Sequence, residues 1–225
     1  MRNDLAQQNK NLFRDFKHLR LDNKQAQDRR IIIDGPITER YFKSKPKILW
    51  VLKEAVSKMG GDSLIQQVNE DLIGRKVPCH SHWYNTWGPI IKVSNAILSK
   101  NFRIYGHHAR DIKTSLEHIA VINLNKFGGY KKQSPHYQEG VVKCKNLLQK
   151  QYELLAPDIT ILGGTRYYLN NLLNMTIGRN DYYPNKFQFP YFIANNILYV
   201  SAYHPGQTTL KESIYFDYIC DNIPR

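Results

Sequence analysis

Cysteine is scarce in this sequence. Cys79, Cys144 and Cys220 are the only three in 225 residues, and no two of them form a CxxC pair. Three scattered thiols cannot supply the four ligands of an iron–sulfur cluster, and an odd, widely spaced set fits a reduced, cytoplasmic protein better than a disulfide framework. Long apolar runs are missing as well. No stretch approaches the length of a membrane span, and the polar N-terminus has no signal-peptide core, so neither membrane insertion nor secretion is expected. There is no G-x-S-x-G elbow, which argues against a serine hydrolase, and neither an internal repeat nor a low-complexity segment is visible. Acid is also in short supply: 19 Asp and Glu stand against 32 Lys and Arg, a formal charge of +13. A chain this basic, with 15 tyrosines, suits a polyanionic partner, and nucleic acid is the expected one.

What is present is a set of apolar, β-branched runs that each stop in polar residues. Residues 47–52 run into Lys53-Glu54-Ala55. Residues 118–122 run into Asn123-Leu124-Asn125-Lys126, and 158–162 into Gly163-Gly164-Thr165-Arg166. Residues 197–202 end at Tyr203-His204-Pro205-Gly206. Such runs read as buried strands. If all four are parallel, Glu54, Asn123, Asn125, Lys126, Arg166 and His204 converge on one edge of one sheet, the edge where open α/β sheets bind ligands.

Helical patterns separate the strands. Apolar spacing predicts an amphipathic helix over 4–21, a helix over 63–72 capped by Asp62 or Ser63, and one over 89–98 opened by Pro89. Further helices are expected over 136–155, 165–173 and 210–223, the last capped by Thr208 or Thr209. Residues 102–110 are basic and poorly patterned, and short strand pieces are expected around 187–193. Alternating strands and helices predict a three-layer α/β/α sandwich around a four-stranded, mainly parallel sheet. A chain of this size is expected to form one domain over 1–225, with 1–46 as an N-terminal helical extension.

In order and spacing the four strand ends resemble the uracil-DNA glycosylase superfamily, over about residues 47–220. Lys53-Glu54-Ala55-Val56 resembles the family's Gly-Glu-Ala-Pro-like turn, and Asn123-Leu124-Asn125-Lys126 its Asn-x-x-Lys. Residues 157–163, Pro157-Asp158 through Leu162-Gly163, resemble the family's Pro-Asp to Leu-Gly strand, and His204-Pro205-Gly206 resembles the His-Pro-Ser-like turn. The resemblance implies a monomeric, monofunctional DNA glycosylase without metal or other cofactor, working on a flipped base.

On that reading Glu54 is the carboxylate that stabilises the cationic sugar and orients water, and His204 donates to the departing base. Asn123 reads the base edge through its amide, with Asn125 as its rival. Trp83, Tyr84 and Phe127 are candidates to stack on the base. Lys126, Lys131, Lys132 and Arg166 are candidates for phosphate contact, together with the helix-opening groups Gly164, Thr165, Gly206, Gln207 and Thr208. The sequence departs from the family at Lys53 and over Val56-Ser57-Lys58-Met59. That departure points to a larger pyrimidine, such as the hydroxymethyl- or glycosyl-cytosine of phage genomes, and to a role in antiviral defence. Plain uracil in base-excision repair is the alternative. Two rivals remain: a non-catalytic nucleic-acid binder on the same scaffold, and a zinc-dependent nuclease using Cys79, His80 and His82 with His107 and His108.

Overall fold

In the computed structural model the described residues are 2–22, 28–56, 61, 63–70, 84–102, 109–129, 135–168, 191–206 and 210–223. Four strands form the centre of the sheet: β2 (Ile48–Val56), β3 (Ile119–Gly129), β4 (Ile159–Gly163) and β6 (Ile197–Ala202). They lie in the order β3-β2-β4-β6, every neighbouring pair parallel. The sheet has six strands rather than the four expected, because an antiparallel strand is added at each edge. β1 (Gly35–Pro36) pairs with β3, and β5 (Tyr191–Ala194) pairs with β6. The β5–β6 hairpin turns on Asn195 and Asn196, both with positive φ (51° and 62°). Asparagine tolerates that conformation, and the two-residue turn it permits matches the twist of the paired strands.

Alternation along β2 sends Ile48, Trp50 and Leu52 to one face and Leu49 and Val51 to the other. The first face packs under α3 (Tyr84–Ser99) and α6 (Glu212–Cys220), with Trp50 Nε1 donating to Ser94 Oγ at 3.0 Å. The second packs under α1 (Arg2–Lys17) and α5 (Tyr137–Leu155), through Leu12, Phe13, Phe16, Cys144 and Leu148. The N-terminal residues are thus built into the sheet and into one core layer. Helices covering both faces are what a parallel sheet requires.

Two further helices lie between β2 and β3 in the chain. α2 (Leu64–Val68) is capped by Ser63, whose hydroxyl accepts from Gln66 N at 3.1 Å. α4 (Ala109–Glu117) lies where no helix is expected, at the end of the basic stretch 102–110. Pro89 sits inside α3 rather than opening it, and α6 starts at Glu212 with Lys211 as a cap that makes no side-chain hydrogen bond.

Candidate functional site at the carboxyl edge of the sheet

The strand registers build a step at this edge. Val51 pairs with Leu162, so β4 stops, at Gly163, about level with Leu52, and β6 stops beside it with Ala202 opposite Gly163. β2 and β3 continue together: Glu54 pairs with Asn125, and Val56 with Gly129. The overhang of four residues is about 13 Å long. β2 and β3 therefore form a wall, and the ends of β4 and β6 form a floor. The step lies at the topological switch point. α3 and α4 connect β2 to β3, α5 connects β3 back past β2 to β4, and α3 and α5 pack on opposite faces. Open α/β sheets bind ligands at such a crevice.

Glu54 stands on the wall, half-buried. Asn125 Nδ2 donates to its Oε2 at 2.9 Å, while Asn125 Oδ1 accepts the Phe127 N–H at 3.1 Å. The backbone bond sets which way the amide points, so its NH2 group is directed to the carboxylate. Two glycines make the room. A Cβ on Gly129 would lie 2.2 Å from the Glu54 carboxyl carbon, and one on Gly140 would lie 2.2 Å from Asn125 Oδ1. Behind them Gly128 O is held at 3.2 Å by both Arg29 Nη1 and the His136 ring.

His204 sits at the floor, half-buried, where β6 gives way to a turn. Its Nδ1 accepts the Gly206 N–H at 3.1 Å. Neutral imidazole with Nδ1 accepting carries its proton on Nε2, and Nε2 has no hydrogen-bond partner among the described residues. Burial, and then the charge of Lys53, push its pKa below the usual histidine value, so the ring is neutral at pH 7. Gly164, at φ +73°, lets the end of β4 pass between Lys53 and His204: a Cβ there would lie 3.4 Å from Lys53 Cε and 3.6 Å from His204 N. β4 separates β2 from β6, so Glu54 and His204 rise from strands about 10 Å apart.

Several expected site residues lie elsewhere. Lys126 is fully buried and ion-paired to Asp34, itself fully buried, with its ammonium 5.4 Å from the Phe16 ring centre; it contacts no phosphate. Burial lowers its pKa while Asp34 opposes that shift. Asn123 is 2% exposed and gives both its backbone N–H and its Nδ2 to Asp34 Oδ2, at 2.7 and 3.2 Å. It reads no base. Phe127 is 0% exposed within the core beside α5 and cannot stack on a ligand.

The described helix-opening groups are engaged within the protein. Thr165 is buried with its hydroxyl donating to Val51 O at 2.9 Å, and Gly164 N–H is taken by Leu162 O and Ala202 O. Gly206 does not open the last helix, which begins at Glu212, and the start of that helix already holds the Glu212–Lys92 ion pair at 2.8 Å. Arg166 remains half-exposed, 5.5 Å from the ring of Tyr167, a side chain 81% exposed.

Trp83, Lys131, Lys132, Gln207 and Thr208 lie outside the described residues, as does the side chain of Tyr84. So do Cys79, His80, His82, His107 and His108. Among the described residues no three His, Cys, Asp or Glu side chains gather as a metal site would need.

Sequence reasoning missed Asp34, Lys53, His136 and Tyr137. Asp34 in Asp34-Gly35-Pro36 looks like turn punctuation, and only pairing with β3 draws it inside. Two concavities lie away from the step, one of about 410 Å³ between α1 and the 3-10 turn Glu39–Lys43, the other of about 540 Å³ at the opposite end of the sheet. No protein-family model matches this chain, and no curated protein matches it. No helix among the described residues is long and apolar enough to cross a membrane.

Proposed function

We propose that this chain is a DNA glycosylase on a uracil-DNA glycosylase-like scaffold, hydrolysing the N-glycosidic bond of a flipped pyrimidine. One observation carries the reading. A carboxylate held by an amide on the wall, Glu54 with Asn125, and a neutral imidazole with an available N–H on the floor, His204, stand on opposite sides of the notch left by β4. Breaking a glycosidic bond develops positive charge on the sugar and negative charge on the departing base. Glu54 meets the first need and His204 Nε2–H the second. The parallel core β3-β2-β4-β6 with helices on both faces supports the scaffold. The charge of +13 supports a DNA partner.

The substrate in this reading is a pyrimidine larger than uracil. β2 stays in the sheet through Val56, opposite Gly129, instead of turning directly after Ala55. A wall extended in this way differs from the tight turn that follows the family's acid, and leaves the C5 side of the base differently bounded. The test is mass spectrometry of bases released from DNAs carrying uracil, thymine, 5-hydroxymethylcytosine or glycosylated cytosine. Release of a C5-modified cytosine is expected. Release of uracil alone returns the protein to the repair role, and binding without release of any base overturns the enzymatic reading in favour of a non-catalytic binder.

A further inference from the structure

Tyr137 is the first residue of α5 and is 1% exposed, yet its hydroxyl has no hydrogen-bond partner among the described residues. Buried tyrosine hydroxyls ordinarily find a partner, and one without calls for a missing water or ligand. The surrounding contacts show what lies near this end of α5. His136, the residue before, bonds Gly128 O. Gly140, one turn further along α5, lies against Asn125, and Gly129 lies against Glu54. The start of α5 is therefore packed on Asn125, whose amide holds the Glu54 carboxylate. The Tyr137 ring is held edge-on to Tyr168 at 5.3 Å between centres. Burial, then Tyr168, then the Glu54 charge push the phenol pKa up, so its proton stays in place at any physiological pH and the group is a donor.

We propose that the Tyr137 hydroxyl and the Glu54 carboxylate together hold the water that attacks the sugar. The target of that water rests on the glycosylase reading; the water site itself does not. Tyr137 donates to one lone pair of the water, Glu54 accepts one of its protons, and the second lone pair is left for attack. In the step, the bond from the anomeric carbon to the base nitrogen breaks and its electron pair leaves with the base. A carbon–oxygen bond forms to the water, whose proton passes to Glu54. Asn125 keeps the carboxylate aimed by its bond to Oε2. Tyr137 is a positioning residue for the nucleophile, a role that sequence motifs would not reveal because it lies outside the four strand ends.

Two measurements test this. The first is a crystal structure of the wild-type protein at a resolution that shows ordered water. A water within hydrogen-bond distance of both Tyr137 Oη and the Glu54 carboxylate is expected; a hydroxyl bonded to a protein group, or a dry site, overturns the proposal. The second is Tyr137→Phe, which removes one oxygen that bonds no protein group and should leave the melting temperature unchanged. Single-turnover base release should slow by about tenfold or more. DNA affinity should stay the same, and the share of methanol adduct over hydrolysis product in water–methanol mixtures should change. Release at the wild-type rate with an unchanged methanol share overturns the proposal and leaves the glycosylase reading standing. A wild-type protein that releases no base, with the water in place, overturns the glycosylase reading and leaves the water site standing.

Discussion

His204 Nδ1 accepts the Gly206 N–H that shapes the turn, and in the proposed mechanism Nε2–H serves the departing base. Protonation would put a second N–H where Gly206 already donates, so the cation is disfavoured by the turn as well as by burial and Lys53. The folded pKa is below the unfolded one. The ring's contribution to stability is therefore complete above about pH 6.5 and is lost as the pH falls through the folded value. Activity is expected to stay level between pH 7 and 8 and to fall only below about pH 6.5. A pH–rate profile in which the rate rises from pH 7 to pH 6 would show that the imidazolium is the working form. Lys126 gives the second residue-scale expectation. Its partner Asp34 is fully buried and also receives Asn123, so Lys126→Met strands a carboxylate in the core. Chemical denaturation should show a loss of about 3–5 kcal/mol, and a loss near zero would mean that the pair contributes nothing. Asn123 and Lys126 read as site residues in the sequence because an amide and an ammonium after a strand look exposed. Nothing local reports that Asp34, far away in the chain, reaches in to meet both.

In the proposed mechanism the working element is the overhang of β2 and β3 beyond β4, and two glycines set its dimensions. Gly140→Ala would press a methyl into Asn125 Oδ1, and the amide must move away from Glu54 to relieve it. Overpacking of this kind costs about 1–3 kcal/mol. Single-turnover base release should fall by about tenfold or more, although residue 140 touches no substrate. Melting and rate measurements on this variant check both, and an unchanged rate would mean that the Asn125–Glu54 bond has no part in catalysis. The starts of the four central strands were legible within a residue because their apolar runs are buried on both faces. Their lengths were not. Lys53-Glu54 and Asn125-Lys126 look like strand terminators, yet the backbone continues because β2 and β3 pair with each other over those residues. α4 escaped notice because its nine residues, though amphipathic, include only two large apolar ones, Ile112 and Leu116, beside a basic stretch, and β1 because its two residues are Gly and Pro.

At the scale of the whole molecule the charge of +13 sets the expectation for binding. If about six phosphates are neutralised, affinity for DNA should fall by about a thousandfold between 50 and 200 mM salt. Titrations at several salt concentrations measure the slope, and an affinity insensitive to salt would remove nucleic acid as the partner. The layered α/β architecture was legible from the alternation of buried strands with helices. Of the edge strands, β5 overlaps the strand pieces expected around 187–193, while β1, a two-residue bridge, carries no pattern that stands out from loops. The four central strands still end at one edge, because the step depends only on them and on where β4 stops.

The account stands on Glu54 being the carboxylate that breaks the glycosidic bond. The direct measurement is single-turnover release of the base identified by mass spectrometry, for the wild type and for Glu54→Gln, with DNA affinity measured alongside. The account predicts release slowed by about a hundredfold or more in the variant, at unchanged affinity. A Glu54→Gln protein that releases the base at the wild-type rate would contradict it.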